Sequence, residues 1–254
     1  MIDLIVFKVG TNRYALNIEY IQRIIQAEEL TYIPGAHKYV DGMMSYEDKV
    51  IKVLNFRKLI GLEGYDEELR VLFTKLKLGH SDWVEELKNS IYSGNEFTKT
   101  TNPHLCELGK WIDAFTSFDE SVASVFSNLV NYHKQLHQKG GEILEEFKKN
   151  PKDAKKRFDV EMNDIYAHTM NALDLFISKL DIISNSLQKL ILYENNDMVF
   201  AIKVDSIEDI SHVSEDKIMN SSENDTNAQF LQLDGVLDLD GVLINLIKTV
   251  TLPS

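Results

Sequence analysis

Residues 2–18 read I-D-L-I-V-F-K-V-G-T-N-R-Y-A-L-N-I, and this stretch indicates the class of the fold. Apolar side chains alternate through residues 2–9 and 13–18, on either side of Gly10-Thr11-Asn12. Alternation around a glycine-containing turn is typical of a β-hairpin. Short apolar runs with Gly, Pro and Asn between them continue to about residue 54, so we expect a small β barrel or sandwich here.

The periodicity becomes helical at about residue 66, where apolar residues begin to recur every three or four positions. They form three stripes: Leu69, Phe73, Leu76, His80, Trp83, Leu87 and Ile91; Val122, Phe126, Val130, His133 and His137; and Phe158, Met162, Ile165, Thr169, Leu173, Phe176, Leu180, Ile183 and Leu187. A shorter apolar piece spans residues 105–115. We therefore expect an antiparallel bundle of three long helices and one short helix, with Gly140-Gly141 closing or bending the second helix.

The β pattern returns after residue 187. Apolar runs at residues 190–193 and 198–204 flank a polar turn, and residues 221–229 (S-S-E-N-D-T-N-A-Q) have the composition of a loop. Neither β half is large enough to be stable alone. The sequence thus predicts an α+β multidomain chain in which a helical insertion interrupts one β domain. The predicted segments are 1–64, 65–187 and 188–254.

The composition excludes some classes of function. Lys and Arg total 27 against 40 Asp and Glu, giving a net charge of −13 over 254 residues. This balance argues against binding to nucleic acid, which relies on basic residues at the phosphates. No apolar run approaches the length of a membrane span, and the start of the chain lacks the basic region of a signal peptide. With Cys106 as its single cysteine, we expect a cytoplasmic protein without an internal disulfide.

Four residues form a candidate metal site. His133 and His137 are four positions apart on a predicted helix, so their imidazoles project from one face. They continue the apolar stripe of that helix, and His80 lies within the first stripe. Buried imidazoles need partners, and a shared metal ion supplies one. Cys106 would complete a His₃Cys set that suits tetrahedral zinc.

Residue types and spacing leave other interpretations open. A histidine pair at this spacing is often coincidental, His80 alone fits a satisfied core histidine, and a single cysteine is often a small buried hydrophobe. His104 and His168 are rival ligands. The remaining residues of interest are expected to serve other roles, with Trp83 and Trp111 in packing and His37 and His212 on the surface.

The order of three short motifs resembles the chemoreceptor zinc-binding domain over about 120 residues. The motifs are H-x-x-W (His80 to Trp83), C-x-L-G-K-W (Cys106 to Trp111) and H-K-x-L-H (His133 to His137). The resemblance implies a four-helix bundle that often forms dimers. It also implies that the zinc ligands are His80, Cys106, His133 and His137.

The β halves are similar to the CheW family of adaptors, which couple chemoreceptors to the histidine kinase CheA. The similarity rests on residues 5–18, on Y-I-P-G-A-H-K-Y-V-D-G-M-M (32–44) and K-V-I-K-V-L-N-F-R-K-L-I-G-L (49–62), and on residues 198–210 with the closing D-L-D-G-V-L-I-N-L-I-K. It implies a pair of five-stranded β-barrels. The family usually has N-L-R-G after the glycine that matches Gly42, whereas this chain has S-Y-E-D (45–48). Glu47 thus replaces an arginine and reverses a charge at an expected contact surface.

Together these features predict a non-enzymatic signalling adaptor that contacts chemoreceptors or CheA, with a bundle that responds to zinc or to an oxidant through Cys106. A homodimer through the bundle is a further expectation. The main alternative is a scaffold in which zinc is only a structural staple. A zinc hydrolase is disfavoured, because Lys134-Gln135-Leu136 lacks the glutamate of H-E-x-x-H and four ligands leave no open position.

Overall fold

In the computed structural model the chain divides into two compact units. The first, the β unit, comprises Met1–Tyr65 and Ser184–Ser254, and the second, the helical unit, comprises Asp66–Ile183. The structure describes residues 1–116, 120–195, 198–214, 217–219, 229–239 and 241–253. The predicted loop at residues 221–229 therefore lies almost wholly outside the described residues, as does half of the predicted turn at residues 194–197.

The β unit contains eleven strands among its described residues. They are β1 Ile2–Val9, β2 Asn12–Asn17, β3 Ile21–Gln26, β4 Val40–Tyr46, β5 Lys49–Asn55, β6 Lys189–Asn195, β7 Met198–Val204, β8 Ser206–Val213, β9 Ile218–Met219, β10 Leu231–Leu239 and β11 Val242–Val250. The strands β1 and β2 form the predicted hairpin, with Val9 opposite Asn12. Gly10 has φ +60° in its turn, a conformation that favours glycine.

The strands form two sheets that each draw on both halves of the chain. Their orders are β8-β1-β2-β11-β10-β9 and β3-β6-β7-β5-β4. The parallel pairs β2–β11 and β5–β7 join strands from before the helical unit to strands from after it. Because every sheet needs both halves, the β unit can complete its core only after the chain has returned from the insertion.

The strand count differs from the expected pair of five-stranded barrels. One sheet has six strands, because Ile218 and Met219 pair with Leu237 and Val236 and so add β9 to the edge at β10. The α+β class is as expected, with β-strands before and after a helical region in the sequence. Closure of the sheets into barrels stays a prediction.

The helices begin in the β unit and continue through the insertion. They are α1 Phe56–Leu59, α2 Tyr65–Ser93, α3 Glu107–Ala114, α4 Glu120–Lys149, α5 Pro151–Arg157, α6 Asn163–Ile177 and α7 Leu180–Leu187, with a π-helical turn at Phe158–Met162. The first stripe lies on α2, and all seven of its side chains are buried. The arrangement of these helices as a four-helix bundle stays a prediction.

Two details of the predicted helices differ from the structure. Of the two roles predicted for Gly140-Gly141, closing the second helix is wrong, since α4 continues to Lys149, and bending it stays a prediction. The glycine serves packing instead, because a Cβ at Gly140 would stand 2.2 Å from Cη2 of Trp83. The third predicted helix is not continuous: it begins in a π-helical turn, continues as α6 and is broken before α7. No helix among the described residues is long and apolar enough to cross a membrane.

Candidate metal centre

The four predicted ligand residues converge in the helical unit. His80 lies on α2, Cys106 directly precedes α3, and His133 and His137 lie on α4. One donor atom from each residue lies within 4.8 Å of the corresponding atoms of the other three. Among the described residues, this is the one group of three or more histidine, cysteine or acidic side chains that meets in this way.

Helical periodicity brings the three histidines inward. His80, His133 and His137 retain 5%, 3% and 0% of their exposed surface, respectively. Their rings contact one another directly, with centroid separations of 4.8 Å between His133 and His137 and 5.2 Å between His80 and His133. Three imidazoles facing each other supply lone pairs but no opposite charge, which suits a cation at their centre.

The backbone orients His80. Its Nδ1 lies 2.8 Å from the carbonyl oxygen of Leu76, one turn earlier on the same helix. Because a carbonyl oxygen can only accept, this contact assigns the hydrogen to Nδ1 and leaves the lone pair on Nε2. Nε2 lies 3.9 Å from the sulfur of Cys106. Such a second hydrogen bond is the usual means of fixing a metal-binding imidazole.

His137 gives the strongest support for a metal ion at this site. Neither ring nitrogen has a hydrogen-bond partner of regular geometry among the described residues, although the side chain is fully buried. The nearby carbonyl of Thr100 accepts a hydrogen bond of 2.8 Å from Nε1 of Trp83, whose ring centroid lies 4.8 Å from that of His137. Leaving a buried polar group without a partner costs about 1–3 kcal/mol. A metal ion in the cluster would remove this cost.

The electrostatics keep the imidazoles neutral. Burial lowers the pKa of His133 to about 3, with further lowering by the charges of His137, His80 and His104. Burial and the charge of His80 lower the pKa of His137 to about 4, although the Thr100 carbonyl works in the opposite direction. Burial also lowers the pKa of His80. Neutral imidazole is the form that binds metal ions, so the site is ready for a cation at neutral pH.

Cys106 joins the cluster as the N-cap of α3. Its sulfur accepts a hydrogen bond of 3.2 Å from the backbone N–H of Gly109 and lies 3.1 Å from Nε2 of His133. Burial raises the pKa of the Cys106 thiol, and the N–H of Gly109 only partly offsets this. The free thiol therefore stays protonated at neutral pH, and a metal ion is needed to hold the thiolate.

Gly109 is a supporting residue whose role was not predicted from the sequence. A Cβ at this position would stand 1.7 Å from the carbonyl oxygen of Pro103, so glycine alone lets the loop pass over the start of α3. This close approach holds Cys106 at the N-cap of α3. The glycine in the motif C-x-L-G was the available signal, because it falls three residues after the cysteine that caps the helix.

Neither of the two rival residues belongs to the cluster. His104 is exposed and contacts both carboxylate oxygens of Asp113 at 3.0 Å. The exposed His168 stacks on Tyr132, with centroids 5.2 Å apart. In the β unit, His212 is exposed and contacts Asp3, whereas His37 is half-buried beside Tyr39.

The two tryptophans pack as predicted. Trp83 is buried against His137 and Phe97. Trp111 lies among Phe73, Phe115 and Phe176.

Two family models match this chain in succession. Residues 3–81 match the CheW-like domain, and residues 80–144 match the chemoreceptor zinc-binding domain. The second match contains all four residues of the cluster, so zinc is the cofactor that it indicates.

Curated relatives agree with the first match. The chain is 24% identical over 95 residues to a chemotaxis protein CheW of Bacillus subtilis, covering 37% of this chain and 61% of the relative. It is 23% identical over 66 residues to a chemotaxis protein CheW of Thermotoga maritima, covering 26% of this chain and 43% of the relative. The matched region thus spans less than two thirds of either relative's length.

Among solved structures, the scaffolding protein TtCheW of Thermoanaerobacter tengcongensis aligns with a TM-score of 0.46 at 11% identity, covering 98% of this chain and 90% of that one.

The two family matches meet at residues 80–81, inside α2, and His80 lies at that junction. The chain is thus similar to a CheW-like domain over residues 3–81 and to a chemoreceptor zinc-binding domain over residues 80–144.

Proposed function

We propose that this protein is a non-enzymatic chemotaxis adaptor whose helical unit senses zinc or an oxidant. The β unit contacts chemoreceptors, the histidine kinase CheA, or both, as the similarity to CheW-like domains suggests. One zinc ion is held by His80, Cys106, His133 and His137. The convergence of these four donor atoms within 4.8 Å is the observation that carries the proposal.

The donors fit zinc chemically. Three neutral imidazoles and one thiolate are a common tetrahedral set for this ion. Neither ring nitrogen of His137 has a hydrogen-bond partner of regular geometry among the described residues, and a bound cation would supply a partner. When bound, zinc ties α2, the start of α3 and α4 to one point. Occupancy of the site therefore contributes to the stability of the helical unit.

Cys106 is the residue through which an oxidant can act. It is half-buried, whereas the three histidines are buried. A peroxide would transfer one oxygen atom to its sulfur, which becomes sulfenic acid while the peroxide is reduced to water. The oxidised sulfur is a poorer ligand, and its acceptor role toward the N–H of Gly109 at the start of α3 also changes. Oxidation of Cys106 would therefore remove both a zinc ligand and the N-cap hydrogen bond at the start of α3.

The β unit holds both ends of the chain that lead into the insertion. Arg57 donates a hydrogen bond to the carbonyl of Glu63 and stacks over Tyr65, the first residue of α2. On the returning segment, the side chain of Gln26 donates to the carbonyls of residues 185, 186 and 188. A conformational change in the insertion would thus act on backbone groups that hydrogen-bond to side chains of the β unit. These hydrogen bonds provide a route by which zinc binding or oxidation could affect the β unit.

A structural zinc staple is the alternative function. The near-complete burial of the three histidines favours it, because a closed site exchanges its metal slowly. The two functions differ in their response to oxidation. A staple keeps its zinc and its partner binding after mild oxidation, whereas a sensor loses one or both.

The test is elemental analysis of the purified chain before and after mild peroxide, with partner pull-downs on both samples. Baits are the cytoplasmic tip of a chemoreceptor and CheA from the same cell. We expect one zinc per chain, released by peroxide, with a change in at least one pull-down. Absence of zinc from the untreated protein would contradict the metal site. A Cys106→Ser chain that binds zinc and responds to peroxide as the native chain does would contradict the role of Cys106.

A second arm of the same experiment addresses the turn at residues 45–48. Glu47 and Asp48 have φ of +47° and +64° at the tip of the β4–β5 hairpin. Glu47 places a negative charge where the CheW resemblance implies an arginine. A Glu47→Arg chain that gains binding to either bait would locate the contact surface at this turn.

A further inference from the structure

Most of the exposed surface of the metal cluster belongs to Cys106. The three histidines keep at most 5% of their surface, and Cys106 is the one member with intermediate exposure. We therefore expect a hydrated ion to approach past Cys106 and the loop before it. Residues on that side determine how fast zinc is captured and released.

A fourth histidine lies in the loop before Cys106. His104 precedes Cys106 by two residues, and its side chain is 66% exposed. Its Nδ1 lies 3.0 Å from each carboxylate oxygen of Asp113, so Nδ1 donates to Asp113 and the lone pair resides on Nε2. This is the carboxylate–histidine pairing that accompanies metal-binding imidazoles, here on the surface of the protein.

The loop fixes His104 near the cluster. Oδ1 of Asn102 accepts a hydrogen bond of 3.0 Å from the backbone N–H of His104, and the carbonyl of Asn102 accepts one of 3.2 Å from the N–H of Leu105. A Cβ on Gly109, whose N–H binds the sulfur of Cys106, would stand 3.1 Å from Cα of His104. His104 is thus held against the turn that presents Cys106.

We propose that His104, oriented by Asp113, is a transient ligand through which zinc enters and leaves the buried site. The proposal rests on the proposed zinc function. His104 would replace one water of the hydrated ion at the surface. Cys106 and the histidines then replace the remaining waters and His104 itself, and the thiol proton of Cys106 passes to solvent. At equilibrium the ion has no contact with His104, so the pair affects rates and leaves affinity unchanged.

The experiment measures zinc transfer in the full-length chain. Zinc-loaded protein is mixed with excess chromogenic chelator in a stopped-flow instrument, and metal-free protein is mixed with the zinc-loaded chelator. Variants are His104→Ala and Asp113→Asn. The controls are His168→Ala and Asp164→Asn, which alter another exposed histidine and its acidic neighbour on α6 of the same unit. Elemental analysis gives the zinc content of every variant.

We expect His104→Ala to slow zinc capture and zinc release by the same factor, because rates that change at unchanged affinity must change equally in both directions. Asp113→Asn should slow them less, and both controls should match the native chain. All variants should hold the native content of zinc. Native rates in His104→Ala would overturn the proposal, as would loss of zinc from that variant, which would make His104 a permanent ligand. A native chain without zinc would instead contradict the proposed function.

Discussion

The β unit and the helical unit both bury polar side chains, but the partners of those side chains differ. In the β unit, the guanidinium of Arg57 is 1% exposed and forms two hydrogen bonds of 2.7 Å to the carboxylate of Asp205. Asp205 also accepts from the N–H of Gly10 and from Gln188. In the helical unit, three buried histidines face one another, and His137 has both nitrogens unpartnered among the described residues. The buried arginine of the β unit is neutralised by a carboxylate, whereas the three buried histidines are the donors of the proposed zinc site.

A second ion pair shows the same internal balance in the β unit. Lys203 and Lys58 both contact Asp41, at 3.2 Å and 2.8 Å. Burial alone would raise the pKa of Asp41, but the two lysines outweigh burial and lower it. In the β unit, buried charges that meet opposite charges form a structural network. In the helical unit, neutral imidazoles converge without opposite charges between them, which is the arrangement of the candidate metal site.

The largest expected effect comes from removing the cation of the β-unit pair. Arg57→Met leaves the carboxylate of Asp205 buried without its partner, which should lower the free energy of unfolding by about 3–5 kcal/mol. The loss should be the same with and without zinc, as measured by urea unfolding in both conditions. Arg13→Met is the control, because the half-exposed Arg13–Glu208 pair should contribute less than about 1 kcal/mol. A loss that depends on zinc would contradict the contrast between the units.

The second prediction concerns pH in the zinc-free protein. The folded pKa values of His133 and His137 lie at about 3 and 4, below the ordinary 6.5 that applies in the unfolded chain. Their contribution to stability is therefore fully present above pH 6.5 and is lost as the pH falls toward 4 and below. Between pH 7 and pH 5 each should contribute a loss of about 2 kcal/mol. Urea unfolding over this range, with EDTA present, measures it.

A matched variant sharpens that measurement. His137→Leu removes one of the two strongly shifted groups and should flatten the pH dependence of the helical unit. An unchanged slope in this variant would assign the acid sensitivity to other residues.

The same substitution gives the third prediction, at a single pH. Without zinc, His137→Leu replaces unpartnered buried nitrogens by an apolar side chain and should raise the free energy of unfolding by about 1–3 kcal/mol. It should also abolish tight zinc binding, as seen by elemental analysis. Thr169→Val is the control, since its buried hydroxyl donates to the carbonyl of Ile165 and its loss should destabilise the unit. Destabilisation by both changes would mean that His137 has a partner within the protein.

The smallest expected effect separates two adjacent glycines of α4. Gly140→Ala would drive a methyl group into Trp83 and should cost about 1–3 kcal/mol, while displacing the ring that packs on His137. Gly141→Ala meets only Thr101 at 3.6 Å, an ordinary contact, and should stabilise the helix by about 0.5–1 kcal/mol. Thermal unfolding and zinc affinity of the two variants test this. Equal effects would show that Trp83 has room to move.

Much of the candidate site could be predicted because helical periodicity is a local property. The stripe on α2 is buried throughout, and the four-residue spacing of His133 and His137 sets them on one face. By contrast, the third stripe begins in the π-helical turn at Phe158–Met162 and stays buried across the break between α6 and α7. Periodicity alone therefore predicted one continuous helix. Gly140 was misjudged for a similar reason, because its partner Trp83 is remote in sequence.

Local sequence alone specifies the two kinds of periodicity, the burial of three histidines and the order of the motifs around Cys106. Each of these features is read from short segments of the sequence, because it depends on neighbouring residues of one helix, strand or motif. The tertiary fold is needed to show that Cys106, rather than His104, faces the cluster, since the loop before α3 is shaped by the contact of Gly109 with Pro103. The fold also establishes the pairing of Arg57 with Asp205, which are 148 residues apart. Such contacts depend on where the chain returns after the insertion, and no local pattern encodes that position.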